Sequence, residues 1–111
     1  MTVQPVCLTL IAAHKLREEL FDYLGEQRDL VSGFTASDGA GHGPAVRLRT
    51  TAEQVKGHAD EVLVRTILEQ QDAVRLLARL KTAFAGTGIV YWIMPVMEFG
   101  AIDDGRDQAE G

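Results

Sequence analysis

The sequence predicts a single α+β domain of order βαββαβ, a four-stranded antiparallel sheet with two helices on one face. Three observations lead there. The stretches HKLREELFDYLGEQ and AVRLLARLKTAF carry apolar residues at helical spacing. Each lies between stretches rich in apolar and β-branched residues, which favour strands. Right-handed crossovers then place the first and third strands, the most apolar, at the sheet centre.

The elements follow in order. Val6–Ala12 (VCLTLIA) is apolar on both alternating faces, as a central strand is. No basic region precedes it, so it reads as a first strand and not as a signal peptide. In the next segment Leu16, Leu20, Phe21 and Leu24 form one apolar stripe, and Glu18 and Glu19 sit early, where the helix dipole favours them. Val31–Ser37 (VSGFTAS) is a weaker strand, interrupted by Gly33, and suits a sheet edge or a bulge.

Residues 37–58 then read as one long loop. Within it Thr50 with Glu53, and Thr51 with Gln54, have capping-box spacing, so TAEQVK is a short helical turn closed by Gly57. Glu61–Glu69 is the third strand. Asp72 is placed to cap the second helix, which buries Ala73, Leu77, Leu80 and Phe84 and leaves Arg75, Arg79 and Lys81 outside. Gly86 and Gly88 end that helix. Ile89–Met97 is the fourth strand, with Pro95 confining its far end to an edge. Residues 1–100 form the domain, and 101–111 read as a flexible acidic tail. The layout is ferredoxin-like.

That layout leaves one face of the sheet without helices, yet the strands are apolar on both faces. Cys7, Thr9 and Ile11 oppose Val6, Leu8 and Leu10, and Val90, Trp92 and Met94 oppose Tyr91 and Ile93. An exposed apolar face of this kind marks an interface, so the chain is expected to form a homo-oligomer.

The formal charge of −5 argues against nucleic acid and anionic membrane as partners. No apolar run reaches the roughly 18 residues of a membrane span. A single cysteine, Cys7, rules out an internal disulfide and suits a reducing cytoplasm. The loop after the first strand, LIAAHK, lacks the cysteine pair of a metallochaperone. The first and third strands lack the aromatic residues of an RNA-binding sheet, and no glycine-rich phosphate loop with its lysine is present. Cys7 lies mid-strand as a small core hydrophobe. With no nucleophile–base pair visible, the chain does not read as an enzyme. Of the histidines, His14 and His58 flank secondary structure, whereas His42 stands between glycines that let a ligand approach the backbone. Imidazoles suit zinc, copper or nickel, and two or three of these histidines would form a metal site if subunits met there, though no spacing in the sequence forces it.

The run GFTASDGAGHG, a long loop, and then AEQVKGHADEVLVRTIL resemble the second strand, T-loop and third strand of PII-type signalling proteins. VLVRTIL with its following helix is also similar to the CutA branch of that superfamily. The whole pattern, CLTLIA, SGFTAS and YWIMPVME over residues 5–100, looks most like a smaller PII-like family. Its members are often encoded beside heavy-metal efflux systems of the resistance-nodulation-division type.

The resemblance implies a homotrimer with its sheets facing inward and an adenine nucleotide held in clefts between subunits. Ser37, Asp38, Gly39, Gly41, His42 and Gly43 would form the loop base, and Gly86, Thr87 and Gly88 the B-loop. It further implies a non-enzymatic regulator of a membrane transporter, whose loop orders on effector binding. The alternative it offers is a CutA-like protein with His42 or His58 as ligand to a divalent metal. Two departures stand out. The B-loop, AGTG, has no lysine or arginine to hold a phosphate, and Arg47 and Arg49 would have to reach over from the long loop to supply one. The loop also lacks the tyrosine that some PII proteins have modified.

Overall fold

The computed structural model describes residues 4–103. Its strands are β1 (Pro5–Ala13), β2 (Thr35–Gly41), β3 (Ala59–Glu69) and β4 (Val90–Pro95), and its helices are α1 (Arg17–Glu26), α2 (Thr51–Lys56) and α3 (Gln70–Ala83). A 3₁₀ turn at His14–Leu16 leads into α1. The sheet has the order β2-β3-β1-β4 with every neighbour antiparallel, so the two most apolar strands are central, as expected.

The register builds the core. Leu8 lies between Thr66 and Ile93, and Leu10 between Val64 and Tyr91, on the face that the helices cover. There Leu20 and Leu24 of α1 and Ala73, Leu76, Leu77 and Leu80 of α3 join Val6, Leu8, Leu10, Val62 and Val64 in one buried cluster. An edge-to-face contact between Tyr23 and Phe84, ring centroids 5.4 Å apart, joins the two helices. The one fully buried polar residue of β3, Thr66, donates its hydroxyl to the Gly33 carbonyl at 2.7 Å, so its burial leaves nothing unpaired.

The second strand differs from its expected position by four residues. Leu30 and Val31 turn into the core, their N–H groups donating to the Gln27 carbonyl, and so close the end of α1 instead of pairing with β3. The strand is Thr35–Gly41, whose TASDGAG has little intrinsic strand preference. What admits it is space. A Cβ at Gly39 would meet Leu63, and one at Gly41 would meet the Glu61 carboxylate, so these glycines let β3 side chains lie across the edge strand. The expected loop at 37–58 is therefore divided. Residues 37–41 are strand, residues 51–56 are α2, and residues 42–50 remain as the connection.

Smaller corrections have similar causes. The capping box at α2 uses Thr50 alone, because Thr51 is already inside the helix; Gly57 closes the helix at φ 79°. Strand β3 runs straight into α3 through Glu69, which takes the cap position without a side-chain hydrogen bond. Asp72 thus lies in the first turn and not at the cap. Strand β4 stops at Pro95 and does not reach Met97: the Val96 N–H still donates to the Pro5 carbonyl at 3.0 Å, but Pro5 has no N–H to return the bond. Of the tail expected from residue 101, everything beyond Asp103 lies outside the described residues.

On the opposite face of the sheet the β1–β4 half is largely apolar and open, while β3 adds the exposed Arg65 opposite Thr9. Met94, Trp92 and Val90 stand beside Cys7, Thr9 and Ile11, with Trp92 41% and Met94 56% exposed. No helix among the described residues covers it, and none is long and apolar enough to cross a membrane.

Candidate functional site

At one end of the open face, the turn after α3 meets the connection between β2 and α2. Gly86 and Gly88 adopt φ of 79° and 77°, a region where any side chain would be strained. Between them Thr87 donates both its N–H (3.2 Å) and its hydroxyl (2.7 Å) to the Phe84 carbonyl, which ends α3 and fixes the turn. Facing this turn are Arg47 and Arg49. The ends of β1, β3 and β4 supply the floor through Ile11, Ala13, Glu61 and Val90, and the cleft encloses about 390 Å³. A Cβ on Gly88 would lie 3.7 Å from Nη2 of Arg49, which shows how closely the arginine approaches the turn. Among the described residues neither the Arg47 nor the Arg49 guanidinium is hydrogen-bonded or ion-paired. Two permanent cations beside a glycine turn, both without partners among those residues, have the chemistry that suits an anion.

Glu53 holds this arrangement from behind. Its Oε1 accepts from the N–H of Arg49 (2.6 Å) and of Thr50 (3.2 Å), and its Oε2 accepts from the N–H of Asp60 (2.5 Å). One carboxylate, only 6% exposed, thereby fastens the end of the 42–50 connection to the start of β3. The N–H groups of Asp60 first, then of Arg49 and Thr50, hold its pKa below the ordinary glutamate value of 4.5. A carboxyl that titrates lower when folded stabilises the protein above its unfolded pKa. That contribution is lost as the pH falls through the folded pKa. The melting temperatures of wild type and Glu53→Gln should therefore differ most near neutrality and converge below pH 4.5. A constant difference down to about pH 3 would disprove this role.

The other residues singled out in the sequence are placed differently. Gly86, Thr87 and Gly88 line the cleft, whereas Ser37, Asp38, Gly39 and Gly41 belong to the edge strand and stand outside it. Asp38 lies 3.5 Å from Nε2 of His14, beside a smaller hollow that also touches Gly39, Asp60 and Glu61. His42 and Gly43 begin the connection, with Gly43 at φ 116°. The structure does bring His42 and His58 together, ring centroids 5.4 Å apart, with Nε2 of His58 3.8 Å from the Asp60 carboxylate. Asp60 is in turn hydrogen-bonded by Lys56, which lowers its pKa. Among the described residues no group of three or more His, Cys, Asp or Glu side chains is disposed to hold a metal ion. Glu61, on the cleft floor, escapes a reading of the sequence because a glutamate at the start of a strand gives no sign of the residues facing it.

The model of the DUF3240 family, described as "Protein of unknown function", matches residues 2–103. The chain belongs to the DUF3240 family. A crystal structure of a DUF3240 family protein from Shewanella baltica OS155 superposes with a TM-score of 0.71 at 20% identity, covering 92% of this chain and 99% of that one. A putative PII-like signalling protein from Thermus thermophilus gives 0.59 at 20% identity, over 86% and 91% of the two chains. CPII, a nitrogen regulatory PII-like protein from Thiomonas intermedia K12 bound to ADP, AMP and bicarbonate, gives 0.64 at 17% identity, over 91% and 100%. No curated protein matches the sequence. At these identities the likeness carries the fold, so this DUF3240 chain has the ferredoxin-like fold of PII-like proteins.

Proposed function

We propose that this DUF3240 chain is a non-enzymatic, cytoplasmic PII-like signalling protein. It assembles as a homotrimer, takes an adenine nucleotide in clefts at its subunit boundaries, and passes the bound state to a heavy-metal efflux transporter. The observation that carries the reading is the pair of guanidiniums, Arg47 and Arg49, without partners among the described residues and set over the Gly86–Gly88 turn. They supply the positive charge that the lysine-free turn lacks. The fold relative CPII, bound to ADP and AMP, supports a nucleotide as the anion. The open apolar face supports assembly, and because Ile11 and Val90 belong both to that face and to the cleft floor, packing sheet against sheet would put the cleft at a seam. Within one chain Ser37, Asp38, Gly39 and Gly41 stand apart from this cleft, so their contact with an effector requires a cleft of a neighbouring subunit. The transporter rests on the resemblance to PII-like proteins encoded beside efflux systems. Isothermal titration with AMP, ADP and ATP tests the effector, and absence of binding by all three rejects it.

The pairing of His42 with His58 favours a second reading, a CutA-like protein that binds a divalent metal there. Two donors need a third from solvent or another subunit. Metal analysis of His42→Ala and His58→Ala decides it, because unchanged stoichiometry in both removes the site.

A further inference from the structure

We infer that Glu61 sets which anions the arginine cleft accepts, favouring a nucleoside monophosphate over a polyphosphate. The inference rests on the effector reading above and names the ligand class. Glu61 pairs with Ala13 of β1 and Gly39 of β2, and its carboxylate lies against Gly41, where a Cβ would displace it. It lines the same cleft as Arg47 and Arg49, yet among the described residues it forms no ion pair with either.

Two guanidiniums against one carboxylate leave the cleft side chains with a single net positive charge. A volume of about 390 Å³ is at the small end for ligand sites, which span roughly 300–1,000 Å³. A single phosphate can engage both arginines, while the carboxylate, which only accepts hydrogen bonds, suits hydroxyl donors on the rest of the ligand. A triphosphate instead brings further negative charge into a small space that already holds one. Like charges confined to so small a space repel strongly enough to matter.

The test titrates wild type, Glu61→Gln and Arg49→Ala with AMP and with ATP, both free of magnesium. Wild type should bind AMP about tenfold tighter than ATP, Glu61→Gln should gain about tenfold for ATP but not for AMP, and Arg49→Ala should lose both. ATP binding as tightly as AMP in wild type, or an AMP-to-ATP ratio unchanged in Glu61→Gln, overturns the inference and leaves the effector reading standing. Binding of neither ligand to wild type overturns both. Should Glu61→Gln fail to fold, Gly41→Ala displaces the same carboxylate without removing its charge. The ratio must then change again, or the inference falls.

Discussion

Replacing Trp92 by Glu is expected to convert the proposed homotrimer into single folded chains. Trp92 is at the middle of β4 on the open face, opposite Thr9, with Val90 and Met94 two residues away on either side. A tryptophan side chain offers about 150–250 Å² of surface. Covering its 41% exposed share is thus worth roughly 2 kcal/mol per subunit. The substitution removes that contribution and adds a carboxylate that would face its own copies across a symmetric interface, where a buried unpaired charge costs several kcal/mol more. The helix-covered core does not include Trp92, so the single chain should keep its secondary structure. Sedimentation velocity reads the outcome. A wild-type protein that is already a single chain in dilute solution removes the assembly, and with it the seam proposed for the effector. An unchanged oligomer in Trp92→Glu places the interface elsewhere.

The parts of the fold that can be read from sequence are those whose environment is uniform along the chain. Val6–Ala12 is apolar on almost every residue because one of its faces packs beneath the helices and the other belongs to the open apolar face, and Val62, Val64 and Leu68 of β3 alternate into the same core. Leu20, Leu24, Ala73, Leu77 and Leu80 recur at helical spacing because one side of each helix meets the sheet. Strand β2 lies away from its expected position because nothing local makes TASDGAG a strand. It pairs because Arg65–Ala59 offer an edge and because Gly39 and Gly41 leave room for Leu63 and Glu61. VSGFTAS looks more like a strand, yet its Val31 is used to close the core beneath α1.

The candidate site is legible in its pieces and not in their meeting. The glycines at 86 and 88 announce a tight turn, and they take the positive φ that such residues allow. Arg47 and Arg49 are two residues apart, a spacing that puts side chains on one side of an extended segment. Which side they face depends on Glu53, whose carboxylate captures the Arg49 and Asp60 N–H groups and so sets the course of the chain into β3. Thr50 and Glu53 have the spacing of a capping box, but the same glutamate also bonds to Asp60, a contact that spacing alone does not reveal.

Removing both guanidiniums, as Arg47→Ala with Arg49→Ala, is expected to weaken nucleotide binding by roughly two orders of magnitude or more. A hydrogen bond to a charged group contributes about 1.5–3 kcal/mol, equivalent to at least a tenfold change for each arginine. The double variant should fold normally, since both residues are exposed and the bond from Glu53 is to the Arg49 backbone N–H, which any residue except proline retains. Charge and geometry separate in the single variant Arg49→Lys. An ammonium keeps the charge but cannot make the paired N–H contacts that a guanidinium makes to a phosphate, so affinity should fall between wild type and Arg49→Ala. Salt provides an independent readout. With two cations engaged, wild-type affinity should drop as ionic strength rises, and that dependence should flatten stepwise as each arginine is removed. Binding that resists both substitutions would mean that the nucleotide sits elsewhere, whereas a loss of affinity with an unchanged salt dependence would mean that the arginines shape the loop without touching the anion.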